Sequence, residues 1–281
     1  MKLIECPRDA MQGLHHFVPT AIKAEYLNLL LQVGFDTIDF GSFVSPKAIP
    51  QLRDTHEVLE KLDLSQTKSK LLAIVANLRG VQEAIKHEPI NYLGFPFSIS
   101  ETFQQRNTNT SIAESLIMVE EMLNLCDKSN KTAVVYLSMG FGNPYGDEWN
   151  TEIVEHWADE LVKRGVKILS LADTTGVSTP EKIRTILPML VKKFNQTEIG
   201  VHLHSTPETR FEKIEAAYAT GCTRFDSALK GFGGCPMAAD DLTGNLATED
   251  LIYFLESKGE KLEINVDKWQ ESMLFSQKIF T

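Results

Sequence analysis

Thr132-Ala133-Val134-Val135-Tyr136-Leu137, a segment of helical period from Thr151 to Arg164, and Lys167-Ile168-Leu169-Ser170-Leu171 decide how this chain folds. The adjacent valines mark the first run as a strand. Ile153, Val154, Trp157 and Leu161 fall on one face of the helix that follows, and Gly165 ends it. The unit is therefore strand, helix, strand, and it repeats toward the C-terminus. Thr179-Pro180 places an N-cap before a proline at the first helical position, opening a helix to about Phe194 ahead of a strand from Glu198 to His202. Thr206-Pro207 predicts the same device for a helix reaching Thr220, closed by Gly221 and followed by a strand from Arg224 to Ser227.

The same alternation extends toward the N-terminus. Strand-like runs are Leu3 to Glu5, Thr37 to Phe40, Lys70 to Val75 and Asn91 to Phe95. Helical stretches lie between them at Thr20 to Gln32, Gln51 to Lys61 and Val81 to Lys86. Ser111-Ile112-Ala113-Glu114 has capping-box spacing and opens a long helix to about Asn130. Eight strands separated by seven helices imply a parallel sheet, and this number suits a closed (β/α)8 TIM barrel. The rival is an open doubly wound sheet, which for dinucleotides carries G-x-G-x-x-G after the first strand; here Cys6-Pro7-Arg8-Asp9 follows instead. Helices at Thr248 to Ser257 and Val266 to Lys278 supply the eighth helix and a short C-terminal extension. No linker or low-complexity stretch divides the 281 residues, so one barrel domain spanning 1–281 is expected.

Composition bounds the function. Hydrophobic residues make up 43% and charged residues 23%, as in a globular protein. The net charge of −10 repels nucleic acid and anionic lipid, so neither is an expected partner. The longest wholly apolar run, Leu71 to Ala76, is far short of a membrane span. Cys6, Cys126, Cys222 and Cys235 lack paired spacing and read as free thiols in a reducing compartment. Strand-like sequence begins at once after Met1, which leaves no signal peptide, and a cytoplasmic location is expected.

In such barrels the chemistry sits at the C-terminal ends of the strands. Arg8 and Asp9 follow the first strand, Asp39 ends the second, Asp173 and Thr174 follow the sixth, and a glycine-rich loop from Gly231 to Asn245 follows the eighth. His202-Leu203-His204 closes the seventh. Alternate strand residues point the same way, so both imidazoles can face one centre and, with Asp9, Asp39 and Asn245, hold a divalent metal. The plainer reading is two histidines that bond only to their neighbours. His15 and His16 stand in a loop after strand one, as ligand contacts or as solvated residues. Cys235 follows Gly231, Gly233 and Gly234, either in a loop that opens and closes or as a small buried side chain in a tight turn.

Taken together, these residues resemble the 3-hydroxy-3-methylglutaryl-CoA lyases, within the barrel metallolyases that include isopropylmalate and homocitrate synthases. The resemblance rests on Pro7-Arg8-Asp9 with Gln12, Ser42-Phe43-Val44-Ser45-Pro46-Lys47, Asp173-Thr174 with Gly176, and the His202-Leu203-His204 triplet. Its most specific part is Gly233-Gly234-Cys235-Pro236 followed by Gly244-Asn245-Leu246-Ala247-Thr248-Glu249-Asp250, which points to the lyases rather than the synthases. The resemblance implies metal-dependent retro-Claisen cleavage of a 3-hydroxy-3-methylacyl-CoA, 3-hydroxy-3-methylglutaryl-CoA first, to acetyl-CoA and a keto acid such as acetoacetate, a reaction of leucine degradation. It implies Mg²⁺ or Mn²⁺ on Asp9, His202, His204 and Asn245. Arg8 would stabilise the enolate, Cys235 would transfer a proton, and Asp173 would position the reacting hydroxyl or its proton acceptor. Gln12, Asp39, Thr174 and His15 would contact substrate, and a homodimer is compatible with the family.

The chain also departs from that pattern. Asp39 stands where the family usually has Glu, Ser205 where it has Asp, and His15 where it has Lys; the segment from Cys235 to Asn245 is one residue longer than usual. Two other readings stand beside the first. One is a related aldol or Claisen lyase acting on a different 3-hydroxyacyl-CoA or 2-oxo acid; the other is a non-catalytic barrel that keeps metal or CoA binding.

Overall fold

Parallel strands rich in Val, Ile and Leu bury both faces, and here they close on themselves. The computed structural model describes residues 1–234 and 243–280. Its strands are β1 (Lys2–Glu5), β2 (Thr37–Ser42), β3 (Lys70–Ile74), β4 (Ile90–Ser98), β5 (Thr132–Ser138), β6 (Ile168–Ala172), β7 (Glu198–His202) and β8 (Arg224–Ser227). They form a closed eight-stranded parallel barrel in sequence order, a TIM barrel. The helices are α1 (Pro7–Gln12), α2 (Thr20–Leu30), α3 (Thr55–Leu59), α4 (Leu78–Ala84), α5 (Glu101–Thr108), α6 (Ile112–Lys128), α7 (Thr151–Lys163) and α8 (Pro180–Lys193). Then come α9 (Arg210–Ala219), α10 (Thr248–Ser257), α11 (Val266–Phe275) and the short α12 (Gln277–Phe280), the last two making the expected C-terminal extension.

The capping signals locate most helix starts. Ser111 and Glu114 form the reciprocal capping box of α6, and Thr179 accepts from the Lys182 N–H ahead of Pro180 at the start of α8. The Thr206-Pro207 expectation is corrected. Thr209 Oγ1 accepts the Thr206 N–H at 3.1 Å, which closes a separate turn, and α9 begins only at Arg210. Two helices near the barrel mouth escape the apolar periodicity. α1 is a six-residue turn started by Pro7, and α5, Glu-Thr-Phe-Gln-Gln-Arg-Asn-Thr, has almost no apolar face.

The pleat sorts the side chains. Leu169 and Leu171 of β6 and Val201 of β7 point outward into the layer beneath the helices. Leu72, Ile74, Tyr92, Val134, Tyr136 and Ile168 pack inside the barrel. The lower end is closed by charge: Arg224 is fully buried, with Nη1 3.3 Å from Glu198 Oε1, and Lys2 Nζ lies 2.6 Å from the other Glu198 oxygen. Gly200 leaves room for that arginine, since a Cβ there would stand 2.8 Å from Arg224 Cδ. Among the described residues, the upper end carries a cavity.

Candidate active site

Pro7 sets α1 directly after β1, so Arg8 and Asp9 occupy its first turn and Gln12 lies one turn on. All three line a cavity of about 370 Å³ at the C-terminal mouth of the barrel. Arg8 grips Asp39 through two nitrogens and sends Nη1 to Asp9 Oδ1 at 3.1 Å and to Gln12 Oε1 at 2.9 Å. Gln12 Nε2 donates to Asp9 Oδ1 at 2.8 Å, which fixes the carboxylate from a second side.

His202 points into the barrel from the end of β7, and His204 follows two residues later. Their Nε2 atoms face one another at 3.3 Å. One nitrogen from each ring and one Asp9 oxygen lie within 4.8 Å of one another, all on buried residues. His202 Nδ1 is 3.2 Å from Asp226 Oδ2, which leaves Nε2 for the centre. The chain returns to this point because Ser205 N donates to the Gly244 carbonyl at 2.8 Å and Leu246 N to the Leu203 carbonyl at 3.2 Å. That pairing sets Asn245 beside His204 and lets its Nδ2 donate to Asp9 Oδ2 at 2.7 Å.

The electrostatics suit a cation. Burial alone would raise the Asp9 carboxyl, but Arg8, His202, His204 and the Asn245 amide bring it down to about 2, so it is ionised. Burial and the neighbouring His202 push His204 down to about 4, which keeps it neutral with a lone pair to offer. For His202 burial opposes protonation, yet Asp226 and Asp9 outweigh it and raise the ring's affinity for a proton. A divalent ion would satisfy the same attraction. Two imidazole nitrogens beside a carboxylate and an amide make a mixed donor set that suits Mn²⁺, or Mg²⁺ with waters completing the shell.

The other sequence-derived residues separate. Thr174 lines the cavity, and its hydroxyl accepts the Met139 N–H at 2.9 Å. Asp39 is fully buried behind Arg8 and does not reach the cavity wall. Asp173 is also set back, its oxygens taken by Ser178 and Lys213. His15 is exposed and stands apart from the cavity. Cys235 lies outside the described residues. Sequence reasoning missed Asp226 and the wall from Phe103 to Asn109. Asp226 was legible in principle, because it alternates with Arg224 on a strand that ends at the barrel mouth.

A closed parallel barrel carrying an Asp–His–His nest and a buried arginine at its C-terminal mouth defines the class: a TIM barrel whose mouth gathers groups able to hold a metal ion. The family follows from comparison. Residues 3–273 match the HMGL-like family model, and the chain belongs to this family of carbon–carbon lyases. It is 36% identical over 262 residues to the hydroxymethylglutaryl-CoA lyase of Bacillus subtilis, covering 93% of this chain and 87% of that one. It is 34% identical over 273 residues to the cytoplasmic 3-hydroxy-3-methylglutaryl-CoA lyase of Rattus norvegicus, covering 97% of this chain and 79% of that one. The crystal structure of the Bacillus subtilis HMG-CoA lyase superposes with a TM-score of 0.92 at 33% identity, over 99% of this chain and 93% of that chain. An HMG-CoA lyase from Acinetobacter baumannii in complex with coenzyme A and 3-methylmalate gives 0.90 at 30% identity, over 99% and 90%. No helix among the described residues is long and apolar enough to cross a membrane.

Proposed function

We propose that this protein is a divalent-metal-dependent lyase that cleaves 3-hydroxy-3-methylglutaryl-CoA to acetyl-CoA and acetoacetate. The observation that carries this reading is the Asp9–His202–His204 nest with Arg8 beside it, both opening on one cavity. Asp9, His202, His204 and Asn245 would hold Mg²⁺ or Mn²⁺. When bound, the cation polarises the substrate's tertiary hydroxyl.

The chain's own residues do the rest. The hydroxyl proton passes to water in the cavity as the C2–C3 bond breaks; the electron pair of that bond passes to the thioester as an enolate, and C3 becomes the ketone of acetoacetate. Arg8, held rigid by Asp39 and Gln12, presents fixed positive charge to the enolate oxygen. Cys235 delivers the proton that turns the enolate into the acetyl group. Gln12 and Thr174 line the space the acyl chain enters. Asp173 acts at one remove, by fixing the backbone that carries Thr174.

The free, buried thiols of Cys6, Cys126 and Cys222 support a reducing, cytoplasmic setting. A related acyl-CoA is the second reading, favoured by Asp39 and Ser205 standing where the family carries Glu and Asp. Acetyl-CoA release from hydroxymethylglutaryl-CoA, measured with Mn²⁺ and again with chelator, decides between them. Metal-dependent release supports the proposal. No release by a folded protein that still binds Mn²⁺ transfers the assignment to another acyl group.

A further inference from the structure

Lys213 is the most deeply buried lysine near the cavity that the reaction above does not use. It stands on α9 at 2% exposure, behind β7. Its Nζ donates to the His204 carbonyl at 2.7 Å, to Asp173 Oδ2 at 3.0 Å and to the Gly176 carbonyl at 3.1 Å. Those three acceptors match the three protons of an ammonium group. Asp173 is equally committed: Oδ1 accepts the Ser178 N–H at 3.0 Å, and Oδ2 accepts the Ser178 hydroxyl at 2.5 Å as well as Lys213.

A buried ion pair of this kind adds little net stability over an apolar pair of the same volume. What it does is fix positions. One of the carbonyls belongs to His204, whose ring forms the cation nest. Another belongs to Gly176, against which Thr243 lies so closely that a Cβ on the glycine would stand 2.7 Å from Thr243 Cγ2. Thr243 precedes Gly244 and Asn245, which pair with Ser205 and His204. A single ammonium thus joins the turn after β6, the residue that carries one imidazole and the segment that brings Asn245 to Asp9. Arg210, one turn earlier on α9, anchors the helix to Asp250 at 2.5 Å.

We propose that Lys213 is a positioning residue for the cation centre, acting through the His204 backbone and the 173–178 turn. The proposal rests on the reading that Asp9, His202 and His204 hold a divalent ion, and its test reads that ion directly. Mn²⁺ affinity is measured by electron paramagnetic resonance of the free ion, alongside the metal-free unfolding midpoint, for wild type, Lys213→Met and Lys213→Met/Asp173→Asn. The single variant strands a buried carboxylate and is expected to be less stable. The double variant removes both charges, so the net charge around the centre matches wild type and no buried charge is left unpaired.

The expected result is a double variant whose unfolding midpoint recovers while its Mn²⁺ affinity stays weaker by about tenfold or more, the scale on which supporting contacts of metal ligands act. Wild-type Mn²⁺ affinity in the double variant overturns the proposal, because the pair would then serve only to neutralise itself. Should the double variant fail to fold, Lys213→Arg separates the same two outcomes. It keeps the charge beside Asp173 but cannot place a donor where the ammonium lies without moving His204. Weakened Mn²⁺ binding supports positioning, and unchanged binding refutes it. A wild-type protein that binds Mn²⁺ yet cleaves no hydroxymethylglutaryl-CoA sinks the substrate reading alone; one that binds no Mn²⁺ sinks both.

Discussion

Arg8 and Asp39 meet in a two-pronged ion pair at the barrel mouth, with Nη2 2.5 Å and Nε 3.0 Å from the same carboxylate oxygen. Burial holds the Asp39 carboxyl up at about 6 even against the pull of Arg8. Removing the arginine therefore leaves a group that can take up a proton rather than a stranded charge. Arg8→Gln is expected to fold, to keep Mn²⁺ affinity within a few-fold, and to lose on the order of 10²-fold in turnover, as for a lost transition-state charge partner. Steady-state kinetics with hydroxymethylglutaryl-CoA checks this; wild-type turnover would remove Arg8 from the mechanism.

Asp226 holds His202 through Nδ1, so its replacement changes which ring nitrogen carries the proton. Asp226→Asn is expected to weaken Mn²⁺ binding by roughly 10- to 100-fold, the usual range for a carboxylate behind a metal-bound histidine. Calorimetric titration with Mn²⁺ measures it. An unchanged affinity would mean that the imidazole is oriented by packing alone.

Gly233 sits at φ +103°, and a Cβ there would meet Asn245 Nδ2 at 2.7 Å and Ala10 Cα at 2.8 Å. Gly165, at φ +101° with nothing within 4 Å, is a matched control for backbone strain. Both Ala variants are expected to lose about 1–3 kcal/mol of stability. Only Gly233→Ala should also lose turnover and Mn²⁺ affinity, because only there does the methyl group displace Asn245. Equal activity in the two variants would contradict that contact.

Glu5 is fully buried behind the site, accepting from Leu229 N at 2.9 Å and Thr248 Oγ1 at 2.6 Å. Burial raises its carboxyl to about 8, outweighing both hydrogen bonds. The folded protein then holds a proton that the unfolded chain releases near pH 4.5, so Glu5 makes stability fall as pH rises between about 4.5 and 8. Glu5→Gln removes that slope. The difference in unfolding free energy between Glu5→Gln and wild type should shift by a few kcal/mol in favour of the variant across the window. Denaturant titrations at several pH values test this, and a flat difference would show that Glu5 is ionised throughout.

Much of this molecule could be read before its structure. The alternation around Thr132 to Leu171 predicts the barrel because each strand–helix unit carries its own period and its own stop. His202, His204 and Asp9 were legible because strand ends in a barrel converge. What escaped had no periodic signature. α1 is too short to show a period, and α5 rests on its Ser100 cap and a few buried residues rather than on an apolar stripe. Asp173 looked like a residue that faces the substrate. Its partner, Lys213, lies forty positions away, and no local pattern announces an ammonium that spans that distance.

Arg8 and Asp9 are neighbours on one turn of helix fixed by Pro7. The group proposed to meet developing negative charge and the group proposed to hold the cation therefore cannot be moved separately: a shift of α1 that improved one would displace the other. Variation in what the enzyme accepts must then come from the rest of the cavity wall, from residues such as Val44, Ser45, Ile49, Phe103 and Asn107. Inheritance should keep the first side and experiment on the second, and a library confined to that wall would sample new acyl groups without dismantling the chemistry.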